Sequence, residues 1–140
     1  MKSTLSIGQA AARFGLETHV LRHWEDMGLL RPARTSADRR VYAREDLVRI
    51  AVIVRSKAAG MSLEQIGVLL DEGAPDRHRV LDAHVADLDR RMDEMRRSRE
   101  MTLHALRCKA HDIVMCPRFK AAVDDLVDGD GQLAAELARW

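Results

Sequence analysis

The residues best equipped for chemistry sit together in HALRCKAHDIVMCPRF, residues 104–119, where two cysteines and two histidines fall within sixteen positions. His104 and Cys108 are four apart and His111 is three further on, so all three share a face if one helix runs through them. Cys116 precedes Pro117 at an expected helix start, where the backbone dipole lowers a thiol's pKa and favours the thiolate. Several chemistries suit these donors. Two thiolates alone suit copper(I), because soft sulfur selects soft ions. His104, Cys108, His111 and Cys116 together suit zinc, whose tetrahedral preference accepts mixed sulfur and nitrogen. A reversible disulfide between the cysteines makes a redox sensor. The plainest alternative leaves Cys108 as a small buried hydrophobe, Cys116 as a cap and both histidines as polar surface. If KAHDIVM continues the helix, the cysteines lie about 12 Å apart by helical rise, and sharing an ion then needs a bend or a second subunit. Cys116 beside His111 also resembles a nucleophile and base, but no orienting acid or oxyanion arrangement accompanies them, so an enzyme is not expected.

The elements that position this cluster are helical. From Asp76 to Arg107 there is no Gly and no Pro, and Leu81, Val85, Leu88, Met92 and Met95 alternate by four and three. That is a heptad seam, which weakens at Arg99 and Thr102 and resumes at Leu103 and Leu106. A seam of this length calls for a partner helix, and a homodimer supplies one. Pro117 suits the first position of a further helix carrying Phe119, Ala122, Val123, Leu126 and Val127 on one face. DGDG, residues 128–131, lacks a calcium loop's ligand spacing and is expected to be a turn, with QLAAELARW as a last helical turn or two.

At the other end, SIGQAAARFGLETHVLRHWEDMGLLRPARTSADRRVY spans residues 6–42. Ser6 caps a helix running through Phe14, Gly15 turns the chain, and a second helix runs from about Thr18 to Met27. Ile7, Ala10, Ala11 and Phe14 face inward on the first, as do Val20, Leu21 and Trp24 on the second. Thr18, His19, Arg22 and His23 then face outward. Gly28 ends the second helix, and Pro32 blocks its continuation. Arg34, Arg39, Arg40 and Tyr42 follow in a basic segment expected to be a β-hairpin wing. AREDLVRIAVIVRSKAA closes this head, and Ser62 with Gln65 has capping-box spacing at the start of a fourth helix.

Composition agrees with a helical chain. Only 4% of the 140 residues are aromatic, and the net charge of +1 hides an asymmetry. Residues 1–57 hold eleven Lys/Arg against six Asp/Glu, whereas residues 58–140 hold twelve against sixteen. The head is the basic end, as phosphate binding requires. No apolar run is long enough to cross a bilayer and no signal-peptide core is present, so the expected location is cytoplasmic, with both cysteines reduced.

LSIGQAAARFGLETHVLRHWEDMGLLRPAR resembles the opening motif of the MerR family of bacterial transcription regulators. RRVYAREDLVRI is similar to that family's wing and third helix, and AAGMSLEQIGVLLD to its fourth. His23, Glu17 and the Asp38-Arg39 pair depart from the family pattern, at positions that bear on base preference and wing shape. The resemblance implies a mainly α fold: a winged helix-turn-helix head with a small β wing over 1–72, an antiparallel coiled-coil dimerisation helix over 76–107, and an effector-sensing segment of short helices over 108–140. It implies a homodimer on a near-palindromic promoter operator, remodelled on effector binding so that RNA polymerase can use the promoter. Arg22 is then the foremost DNA contact, beside Thr18, His19 and His23, while Arg34, Arg39, Arg40 and Tyr42 hold the flanking backbone. The family's ligand site lies at the coiled-coil end, and two cysteines seven residues apart resemble the loop of copper-sensing members. A redox signal, a small organic effector bound near Phe119 and Trp140, and a ligand-free architectural dimer remain as alternatives.

Overall fold

A computed structural model of the chain describes residues 3–110 and 112–129. His111, the tail QLAAELARW and the second half of DGDG lie outside the described residues. The chain forms two compact units that meet in sequence between Asp82 and Ala83.

The first unit is built around two short helices, α1 (Ile7–Arg13) and α2 (Thr18–Asp26). Ser6 caps α1 reciprocally with Gln9: the Gln9 amide donates to the Ser6 hydroxyl at 3.2 Å, and the Ser6 amide to the Gln9 side chain at 2.9 Å. This satisfies two amides that a helix start otherwise leaves unpaired. Phe14 and Met27, expected as last helical residues, are the C-caps that follow them. Gly15 and Gly28 take φ of 65° and 78°, left-handed values that a side chain resists, and they end both helices sharply.

Strands β1 (Ala33–Arg34) and β2 (Arg40–Val41) form the wing as an antiparallel pair in which Ala33 faces Val41 and Arg34 faces Arg40. Tyr42 extends β2 into a bridge with Leu5 through backbone bonds of 2.9 and 2.8 Å. Helices α3 (Arg44–Ala58) and α4 (Leu63–Leu70) close the head, and Ser62 with Gln65 completes the second capping box. Leu21, Leu30, Tyr42, Ile50, Ile53 and Ile66 are fully buried. Each of the buried leucines and isoleucines stabilises the head by about 1.5–3 kcal/mol relative to exposure.

Helix α5 (Arg77–Ala105) contains no buried residue. Leu81, expected as the first residue of the seam, instead packs against the head's core. Val85, Met92 and Met95 stand 55%, 69% and 66% exposed and form an apolar seam on the surface of the described chain. After α5 the chain passes through a 3-10 turn (Ile113–Met115) into α6 (Pro117–Val127), with Cys116 at the N-cap. No helix among the described residues is long and apolar enough to cross a membrane.

Candidate functional site

The outward face of α2 follows from its periodicity. Leu21 and Trp24 are buried, which turns His19, Arg22 and His23 outward, with Thr18 half-buried beside them. The Arg22 guanidinium reaches the Thr18 hydroxyl at 3.5 Å, one turn back. A short exposed helix face with a basic centre, next to a basic wing, has the shape and charge to enter a DNA groove.

The wing is tied to that helix more closely than the sequence suggests. Cross-strand partners project to the same face of a ladder, so Arg34 and Arg40 point the same way, toward α2. There Glu25 receives both: Arg34 Nη2 donates to Oε1 at 3.1 Å and Arg40 Nε to Oε2 at 2.5 Å. The Glu25 bond holds the Arg40 guanidinium above its ordinary pKa. Arg34 also donates to the Asp38 carbonyl at 3.3 Å across the hairpin tip. Arg39 lies in the hairpin loop just before β2 and is exposed. Tyr42 is the exception among the expected contacts. Strand alternation puts it on Arg40's inward face, where it is fully buried with its hydroxyl unpaired, so it belongs to the core and not to the surface.

The second cluster forms because α5 stops. After Ala105 the amides of Arg107 and Cys108 both donate to the His104 carbonyl, at 2.9 and 2.8 Å, folding Cys108 back beside His104. Asp112 then caps the 3-10 turn by accepting from the Val114 amide at 3.0 Å, and α6 begins with Cys116 pointing back at the same place. The continuous helix that would separate the thiols is absent. His104, Cys108 and Cys116 bring one donor atom each to within 4.8 Å of one another. His104 Nε2 lies 3.4 Å from the Cys116 sulfur, and its ring packs on Phe119 with centroids 5.6 Å apart. His111, the fourth expected ligand, lies outside the described residues.

Cys116 is only 5% exposed, yet its pKa is lowered to about 6. The backbone N–H of Phe119 contributes most, followed by His104, and together they outweigh burial, which acts the other way. The thiolate thus serves as the anion at a helix start, where unpaired amides and the dipole favour negative charge. Beside it, a cleft of about 550 Å³ is lined by residues that include His104, Phe119, Met101, Arg97 and Arg118.

Sequence reasoning missed Glu25 as a hub and the turn that brings the thiols together. Glu25 follows Trp24 on the recognition helix, but no spacing rule links it to a wing nine and fifteen residues away.

Comparison with known proteins identifies the family. Residues 5–73 match the family model described as "MerR HTH family regulatory protein", and residues 47–105 the one described as "MerR, DNA binding". The HTH-type transcriptional regulator HmrR of Rhizobium leguminosarum bv. viciae is 31% identical over 134 residues, covering 89% of this chain and 99% of that one. A probable heavy metal-dependent transcriptional regulator of Haemophilus influenzae is 35% identical over 107 residues, 71% of this chain and 84% of its own length. Among solved structures, the regulator PbrR691 of Ralstonia metallidurans CH34 in complex with lead(II) aligns at a TM-score of 0.51 and 29% identity, covering 84% of this chain and 98% of that one.

Proposed function

The chain belongs to the MerR family of helix-turn-helix regulators, and on that premise we propose that it is a metal-responsive regulator whose sensor is formed by His104, Cys108 and Cys116. It is a DNA-binding transcriptional regulator and not an enzyme. The single observation that carries the metal reading is the convergence of three soft or borderline donors within 4.8 Å. Three donors about 2.3 Å from one ion lie about 4.0 Å apart in a trigonal arrangement, so these three need to close by less than about 1 Å. Relatives named for heavy-metal dependence support the same reading.

The donor set fits a soft ion. Two sulfurs and one imidazole reject hard cations such as magnesium or calcium, which take oxygen. Three donors favour copper(I), which accepts a low coordination number, whereas a closed zinc site calls for a fourth ligand from His111 or a second subunit. A bound ion would join the end of α5 to the start of α6. The chain's own contribution is to hold Cys116 as a thiolate, orient it through His104, and keep it nearly dry.

The regulator acts as a homodimer through the exposed α5 seam and binds its promoter operator through α2 and the wing, with Arg22, Thr18, His19 and His23 facing the bases. An effector bound in only one state of the DNA complex biases the equilibrium toward that state and makes the promoter usable by RNA polymerase. Run-off transcription from a promoter carrying a duplex selected by the protein tests this. Copper(I) is expected to change transcript yield with the reduced protein and to leave it unchanged with Cys108→Ser/Cys116→Ser. Equal responses from the two proteins would end the proposal.

A further inference from the structure

We propose that Glu25 is a positioning residue that locks the wing to the recognition helix, and that Arg34 and Arg40 set the angle between these elements instead of holding DNA phosphates. The ladder register places Arg34 directly opposite Arg40, where two like charges repel. Glu25 spans both, one carboxylate oxygen to each guanidinium, at 3.1 and 2.5 Å. Its side chain is 20% exposed, and those of Arg34 and Arg40 are 37% and 24% exposed, so the contact is partly shielded from water and salt. Arg34 is restrained from its other side by the Asp38 carbonyl at 3.3 Å.

With Glu25 between them and the Asp38 carboxylate 3.8 Å from Arg34, the two guanidiniums are balanced by two carboxylates and attract phosphate weakly. Reaching a phosphate would break a charge-assisted bond and expose the carboxylate to the DNA's own negative charge. Arg39, exposed in the hairpin loop just before β2, is the wing cation that DNA meets. The wing therefore reads DNA through its position, which Glu25 fixes from within the recognition helix, so that helix and wing approach the duplex as one body.

The salt dependence of DNA binding distinguishes positioning from phosphate contact, because each neutralised phosphate contributes about 0.9 to the slope of log K against log salt. The probes are a random-sequence duplex and a duplex that the protein selects from a random pool. Arg39→Ala is expected to flatten the slope on the random duplex by about 0.9 per protomer, while Arg34→Ala and Arg40→Ala leave it unchanged. Glu25→Gln releases both arginines and is expected to steepen the slope by up to about 1.8 per protomer. The same variant should lower the ratio of selected to random affinity about tenfold, the size of one lost base readout. A flatter slope in Arg34→Ala or Arg40→Ala overturns the proposal, and so does an unchanged slope in Glu25→Gln. The two arginine variants give their answer whether or not Glu25→Gln folds.

Discussion

Cys116 shows how a single residue's surroundings prepare it for function. Its folded-state pKa, about 6, lies below the ordinary 9.0, so the bonds to its thiolate contribute stability that is complete above pH 9.0 and lost as pH falls through about 6. In a Cys108→Ser background, iodoacetamide labelling of Cys116 should rise with a midpoint near pH 6, and His104→Ala should move that midpoint upward. A midpoint near the ordinary thiol value would show that the sulfur is not held as described. The low pKa also matters for metal capture, since at neutral pH an ion need not displace a proton from this ligand. On the DNA side, Arg22 projects from the middle of the exposed face of α2. Arg22→Ala is expected to weaken binding to the selected duplex by roughly 5- to 150-fold, the worth of one good base contact, with an unchanged circular dichroism spectrum. Unaltered affinity would mean that another face of the head reads DNA.

The elements divide by how local their causes are. The Ser6 cap, the Ser62–Gln65 capping box, the glycine stops and the inward faces of α1 and α2 follow from residues within one or two turns, and all were legible in the sequence. The thiol cluster was half legible. The donors His104, Cys108 and Cys116 were evident, but the helix-compatible sequence around the cysteines hid the end of α5 at Ala105, which rests on bonds from Arg107 and Cys108 to one carbonyl. Tyr42 was read as a surface contact because it follows two arginines, and strand alternation turned it inward. The wing tip was legible through Asp38, though its conformation was not: Asp38 adopts φ of 61°, left-handed backbone that a short polar side chain tolerates. Asp38→Val is therefore expected to cost about 1–2 kcal/mol in thermal unfolding, and Asp38→Gly much less. Equal losses from the two substitutions would show that the carboxylate, not the backbone, holds the turn.

At the scale of the whole molecule, a basic DNA-binding head and a thiol cluster lie at opposite ends of α5 in the sequence, and a seam left exposed among the described residues runs between them. Val85, Met92 and Met95 are too exposed to stabilise an isolated chain, and the proposed homodimer would bury them against a second copy. Met92→Glu/Met95→Glu is expected to convert that proposed dimer to a monomer in light scattering while the head keeps its helical signal. A variant that stays dimeric would place the interface elsewhere. The central claim, that this regulator senses a soft metal through one preformed cluster, is tested most directly by competition of the fully reduced protein against copper(I) and zinc chelators, with Cys108→Ser/Cys116→Ser measured in parallel. Tight copper(I) binding, one ion per cluster and lost in the double variant, is the predicted result. Binding no tighter than the variant's, for either ion, would contradict the claim.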